Sequence, residues 1–199
     1  MDSKATQALY PLHPTAAWGP RNRGEGHPLL YICLKNLHSA GADFSHADLM
    51  GANLRGIDLS HANLRRANLM GADLSNANLQ HAHLDGADLR SSNLQNAVLT
   101  GASLREADLF NANLGAACLQ QADLQGAYLF KADLQSTNLE GADLRWANLR
   151  YADLTGACLD RANLAEADVR DAIVTDTQLA VAKIGNCHLH STRRLHSQH

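Results

Sequence analysis

From Ala42 to Asp176 an apolar residue stands at every fifth position, and a second one stands two residues before it. The text reads Ala42-Asp43-Phe44, Ala47-Asp48-Leu49, Ala52-Asn53-Leu54, Ile57-Asp58-Leu59, and runs without insertion or deletion to Val169 and Val174. Twenty-seven such units follow one another. The central residue is Leu except at Phe44, Val169 and Val174, and the residue two before it is Ala except at Ile57, Ser92 and Thr137. An α-helix does not fit: five residues turn it by about 500°, so successive Leu side chains would stand roughly 140° apart and form no stripe. A flat strand does not fit either, because the apolar spacing alternates between two and three instead of holding at two. A short extended piece with Ala and Leu pointing inward, followed by a corner, satisfies the pattern. The glycines two after the centre (Gly51, Gly56, Gly71, Gly86, Gly101, Gly126, Gly141, Gly156) suit that corner.

The ends read differently. All four prolines (Pro11, Pro14, Pro20, Pro28) lie in residues 1–28, which read as an irregular leader. Residues 29–41 are the expected N-terminal cap of the body at 42–176. Thr175-Asp176-Thr177-Gln178 has the spacing of a capping box, which predicts a short helix over 177–183 within a C-terminal cap at 177–186. The rival expectation continues degenerate repeats through Ala182/Ile184 and Cys187/Leu189. Residues 187–199 read as a polar tail.

These units resemble the pentapeptide-repeat family, whose consensus is A-(D/N)-L-x-x, over about two thirds of the chain. The resemblance implies an all-β fold, a right-handed quadrilateral parallel β-helix with four units per coil and capping segments at both ends. Its bore is filled by the Ala and Leu side chains and leaves no interior pocket. At about 4.8 Å per coil the body is a rod on the order of 30 Å long. The family is abundant in bacteria, which implies a bacterial origin.

Residues twenty apart then stack, and the exterior sorts into four faces. One face gathers Met50, Met70, Arg90, Phe110, Phe130, Arg150 and Arg170 just after their centres, with Tyr128 and Tyr151 beside them and Trp146 near the neighbouring corner. A row of exposed large apolar groups marks a contact surface. The expected role is a non-enzymatic scaffold presenting this face to a protein partner, with a homodimer through the face or through a solenoid end as one form of it. The alternative that the resemblance brings is a DNA mimic that binds DNA gyrase or topoisomerase IV. The face with Asp73, Asp133, Asp153 and Asp176 is opposed only by Arg55, but arginines elsewhere largely cancel the acids. The formal net charge is −3, which argues against direct nucleic-acid binding.

Composition excludes more than it adds. No run approaches a membrane span, and Met1–Gln7 lacks the apolar stretch of a secretory signal, which makes the cytoplasm the expected compartment. Cys33, Cys118, Cys158 and Cys187 have no C-x-x-C spacing and read as reduced structural thiols. Ser45, His46 and Asp48 sit on one short strand and corner and do not converge as a triad. His61 and His81 are expected to stack one coil apart with His83 nearby, and surface histidines of this kind are read as unliganded. No catalytic, cofactor or metal residue is assigned.

Overall fold

The computed structural model describes residues 39–189 and 193–194. The leader at 1–28, most of the 29–41 cap and most of the 187–199 tail lie outside them.

One rung shows why five residues make a unit. The Ala62 N–H donates to the Leu59 carbonyl at 3.0 Å and closes a turn. The Asn63 N–H donates back one coil to the Ala42 carbonyl at 2.9 Å, and the Leu64 N–H donates forward to the His83 carbonyl at 2.7 Å. The Arg66 N–H donates forward to the Asp85 carbonyl at 3.0 Å. The remaining donor, the Arg65 N–H, has no carbonyl to meet and donates to the Asn63 side-chain Oδ1 at 3.3 Å. Every amide of the unit is thereby satisfied, as a buried or half-buried backbone requires.

Repetition of this rung pairs the residue before a centre, in parallel, with the residue twenty later, from Asp43↔Asn63 through Asp168↔His188 and with Cys158 as the exception. A coil is therefore four five-residue units, and units twenty apart stack into four columns, numbered here from the units centred on Phe44, Leu49, Leu54 and Leu59. The Ala and Leu side chains fill the bore, where nearly all are fully buried. Two polar residues replace Ala inside without leaving an unmet hydroxyl: Ser92 Oγ donates to the Leu89 carbonyl at 2.7 Å and Thr137 Oγ1 to the Leu114 carbonyl at 3.1 Å.

The corner residue two after each centre has a positive φ from His46 to Asp171. Eight of these corners are glycine, from Gly51 to Gly156, and eighteen are not. None of the eighteen is β-branched, as expected where the left-handed region costs about 1 to 2 kcal/mol for an L-residue.

At the C-terminal end the two expectations do not exclude one another. After β1 (Ile173–Val174) comes α1 (Asp176–Ala180), capped by Thr175: the Gln178 N–H donates to Thr175 Oγ1 at 3.2 Å and the Thr175 N–H to Gln178 Oε1 at 2.8 Å. The helix takes the place of the fourth-column unit. Gln178 Nε2 donates to the Leu154 and Ala157 carbonyls, 2.7 Å each, and so meets acceptors of the coil beneath. Leu179, in register with the Leu159 centre, is buried. Bridges resume at Asn163↔Lys183 and Asp168↔His188, and β2 (Arg193–Arg194) pairs in parallel with β1. The ladder thus runs past the helix, because the helix supplies one unit's length of chain and one apolar side chain.

Several of the aspartates that serve the rungs are held below the usual carboxylate range. The Ser45 and Ser60 N–H groups do this for Asp43 and Asp58, and the Arg90 and Arg170 guanidiniums for Asp88 and Asp168. A carboxyl depressed in the folded state contributes stability above its unfolded pKa of about 3.9 and loses it as pH falls through the folded value. The melting temperature should therefore be flat between about pH 8 and about pH 5 and fall below about pH 4. A melting temperature that holds or rises below pH 4 would contradict this role for the aspartates.

Candidate functional site

The second column carries the aromatic residues. Phe110, Tyr128 and Phe130 form a stack: Phe110–Phe130 ring centroids lie 6.0 Å apart, Tyr128–Phe130 5.9 Å and Phe110–Tyr128 6.5 Å, with interplanar angles of 14°, 6° and 15°. Tyr151 meets Phe130 edge-on at 5.2 Å. Cations sit against the rings, with Lys131 Nζ 5.7 Å from the Phe130 centroid, Arg150 5.5 Å from Tyr151 and Arg145 5.1 Å from Trp146. Met50, Phe110, Tyr128, Tyr151 and Trp146 are exposed, Trp146 at 57%. Arg90 is exposed as well, whereas Met70, Phe130 and Arg150 are half-buried. Phe130 is screened because Tyr128, Phe110 and Tyr151 pack around it.

One of these residues, Tyr128, stands where most units have Asp or Asn. Twenty units have Asp or Asn before the centre, and each of those side chains accepts the N–H two residues on, as Asp108 does from Phe110 at 3.0 Å and Asn148 from Arg150 at 3.1 Å. Tyr128 takes that position without an acceptor oxygen in reach, so the Phe130 N–H has no protein acceptor among the described residues. Trp146 and Tyr151 occupy corners at φ +59°, a conformation that sixteen other non-glycine corners share. Sequence reasoning placed the aromatics on one face but missed this signal, which was legible as an interruption of the Asp/Asn series at Tyr128.

The ionic setting is close to neutral. Arg90 is bound bidentately by Asp88, with Nη2 to Oδ2 at 2.5 Å, and Arg170 by Asp168 at 2.6 Å. Arg150 reaches Asp171 only at 3.9 Å, and its Nε is buried without a hydrogen-bond partner. The third column holds Asp73, Asp133 and Asp153, each of which accepts the N–H two residues on. On the first column Arg65 donates to Asp85 at 2.9 Å, Ser103 Oγ also donates to Asp85, and Arg105 pairs with Asp123 at 3.5 Å.

The remaining sequence candidates resolve simply. His61 and His81 stack at 5.1 Å, and a Cβ on Gly101 would come within 2.6 Å of the His81 ring, so that corner glycine makes room for the imidazole. Among the described residues no three His, Cys, Asp or Glu side chains gather as a metal site. Cys118, Cys158 and Cys187 are free thiols, and burial pushes Cys187 up to about 11. No helix among the described residues is long and apolar enough to cross a membrane.

Comparison with known proteins places this geometry. The pentapeptide-repeat model matches in eight copies between residues 40 and 164. Among solved structures, the chain is similar to HetL, a pentapeptide repeat protein involved in heterocyst differentiation regulation from the cyanobacterium Nostoc sp. strain PCC 7120. Identity is 26%, 86% of this chain and 94% of that one are covered, and the TM-score is 0.52. It is also similar to the pentapeptide repeat protein Rfr23 from the cyanobacterium Cyanothece 51142, at 30% identity over 70% of this chain and 97% of that one, with a TM-score of 0.50. QnrB1, a plasmid-mediated fluoroquinolone resistance protein, shares the fold at 21% identity, 77% coverage of each chain and a TM-score of 0.67. No curated protein matches. With its five-residue rung, its twenty-residue coil and repeat matches over most of the body, this chain belongs to the pentapeptide-repeat family.

Proposed function

We propose that this solenoid is a non-enzymatic interaction scaffold whose second column binds a protein partner through Phe110, Tyr128, Phe130, Trp146 and Tyr151. The observation that carries this reading is the cluster of Phe110, Tyr128, Phe130 and Tyr151, with Tyr128 at a position where twenty units have Asp or Asn and where it leaves the Phe130 N–H without a protein acceptor among the described residues. A residue that breaks a local rule without a compensating structural gain marks a position kept for another purpose. Met50 and Met70 extend the same column toward the N-terminal end with adaptable apolar side chains. The rungs fix these side chains in place, so little conformational entropy is lost on this side when a partner docks. The right-handed, four-cornered form that the family resemblance implies agrees with the general preference for right-handed crossovers between parallel strands. We assign the protein to the cytoplasm, in keeping with its free thiols.

The DNA-mimic reading draws less support. A mimic of phosphate charge needs a continuous negative field. Here Arg90, Arg145 and Arg170 are each bound by a neighbouring aspartate. The fold it shares with QnrB1 does not carry that protein's activity to this chain.

Two tests follow. Phe110→Ala combined with Phe130→Ala should abolish capture of the protein partner from the native host while leaving circular dichroism unchanged. Undiminished capture would overturn the assignment of this surface. Tyr128→Asn supplies the missing acceptor for the Phe130 N–H, whereas Tyr128→Ala does not. Both variants lose the ring stack, so Tyr128→Asn should be the more stable by about 1 kcal/mol in denaturant unfolding. Equal stabilities would show that the Tyr128 position carries no backbone penalty.

A further inference from the structure

A groove of about 780 Å³ runs along the first column, away from the rings. It crosses two consecutive rungs of that column, His83 and Ser103, that leave the Asp/Asn series. The amides that an Asp or Asn would have met, the Asp85 and Arg105 N–H groups, have no protein acceptor among the described residues. In other units this N–H is directed at a side-chain oxygen on the outside of the rod, as the Arg65 N–H is at Asn63 Oδ1. The two unmet donors stand one coil, about 4.8 Å, apart. Cations border them. Arg66 is exposed and has no ion pair among the described residues, and its stem lies across the bare corner of Gly86, with Cγ 3.5 Å from the place a Cβ there would take. Arg105 is exposed and reaches Asp123 only at 3.5 Å. The carboxylates of the groove are held or turned away. Asp85 accepts from Arg65 Nε at 2.9 Å and from Ser103 Oγ, and Asp123 accepts from the Gln125 N–H at 3.1 Å and from Gln125 Nε2 at 3.2 Å. The Glu106 stem leans over Gly126, one coil beyond Arg105's neighbour Gly86 on the corner ladder of Gly86, Glu106 and Gly126. What the groove leaves unspent is donors.

We propose that this groove binds a phosphate group, free or as a small organic monoester. A phosphate presents only acceptor oxygens, and backbone N–H groups beside guanidiniums are the donors that suit it. One of its oxygens lies within hydrogen-bond reach of two amides about 4.8 Å apart, because a point between them is about 2.4 Å from each nitrogen. Arg66, coming from the coil before the Asp85 rung, and Arg105, in the coil after it, take the remaining oxygens. A neutral or cationic ligand would leave both amides unmet and set a charge or a dipole against two arginines. Val98 and Cys118 leave the series on the fourth column in the same way, but no arginine borders the Thr100 amide in a groove, so the two departures differ in what surrounds them. The groove is open to water, which weakens each of these contacts, so the dissociation constant is on the order of 1 mM. This site is independent of the aromatic column.

The test is a titration of the full chain with inorganic phosphate at constant ionic strength, followed by the backbone amide resonances. The Asp85 and Arg105 amides should shift and saturate, whereas the Phe130 and Thr100 amides, which also lack a protein acceptor but have no such groove, should not. Arg66→Gln should raise the dissociation constant at least about fivefold. Arg161→Gln, at an exposed arginine of the fourth column outside the groove, should leave it unchanged. Asp85→Asn, which removes a carboxylate from the groove, should tighten binding. Phosphoserine in place of phosphate decides the source: the same shifts show that a monoester is accepted, and shifts with phosphate alone assign the site to the free ion. A titration with no saturable shift at Asp85 and Arg105 up to about 20 mM phosphate overturns the proposal. So does equal weakening in Arg66→Gln and Arg161→Gln, which would mark a diffuse counterion, or weaker binding in a folded Asp85→Asn variant.

Discussion

The amide that follows each apolar centre is the group on which this fold depends. The other four amides of a unit find carbonyls in the adjoining coils or in the preceding turn, but this one does not. A half-buried N–H left without an acceptor costs about 1 to 3 kcal/mol. Asp or Asn one residue before the centre removes that cost with a side-chain oxygen, and the repeat uses it in unit after unit. The same side chains then join the coils laterally. Asn63, Asn68 and Asn78 donate through Nδ2 to Asp43, Asp48 and Asp58 of the coil beneath, each at 3.0 Å. One polar position thus completes the corner and ties neighbouring coils together.

That constraint explains how much of the fold was legible in the sequence. The five-residue spacing of Ala and Leu excludes helix and flat strand by geometry alone, and the bore follows from it. The corner was only partly legible. Gly56 or Gly141 announces a left-handed residue, but Arg66, Glu106 and Trp146 adopt the same φ without any mark in their chemistry, because the bonded rungs on either side dictate the turn. The Asp and Asn residues read as outward-facing polar positions, and their part in satisfying the backbone emerged only from the side-chain bonds. At the C-terminal end the Thr175–Gln178 box was visible, whereas the second task of Gln178, bonding the Leu154 and Ala157 carbonyls, depends on a coil twenty residues away. Local spacing does not encode that.

The candidate surface was legible as a column of large side chains once the twenty-residue coil was assumed. What sets it apart is an exception and the rings around it. Val98 and Cys118 also leave the Asp/Asn series, yet they are small and form no ring cluster, so departure by itself is no signature. Tyr128 departs while joining a cluster with Phe110, Phe130 and Tyr151, and Tyr128, Tyr151 and Trp146 remain exposed. The arginines around them are mostly held by aspartates of their own unit, which leaves an apolar centre in a nearly neutral setting.

Amide hydrogen exchange followed residue by residue in the intact protein tests the central claim most directly. After correction for intrinsic rates, the Phe110 and Arg150 amides, which donate to Asp108 and Asn148, should be protected. The Phe130 and Thr100 amides, which follow Tyr128 and Val98, should exchange at least about tenfold faster. Equal protection at all four would mean that the side chain before the centre does not serve the backbone, and that Tyr128 stands there at no cost.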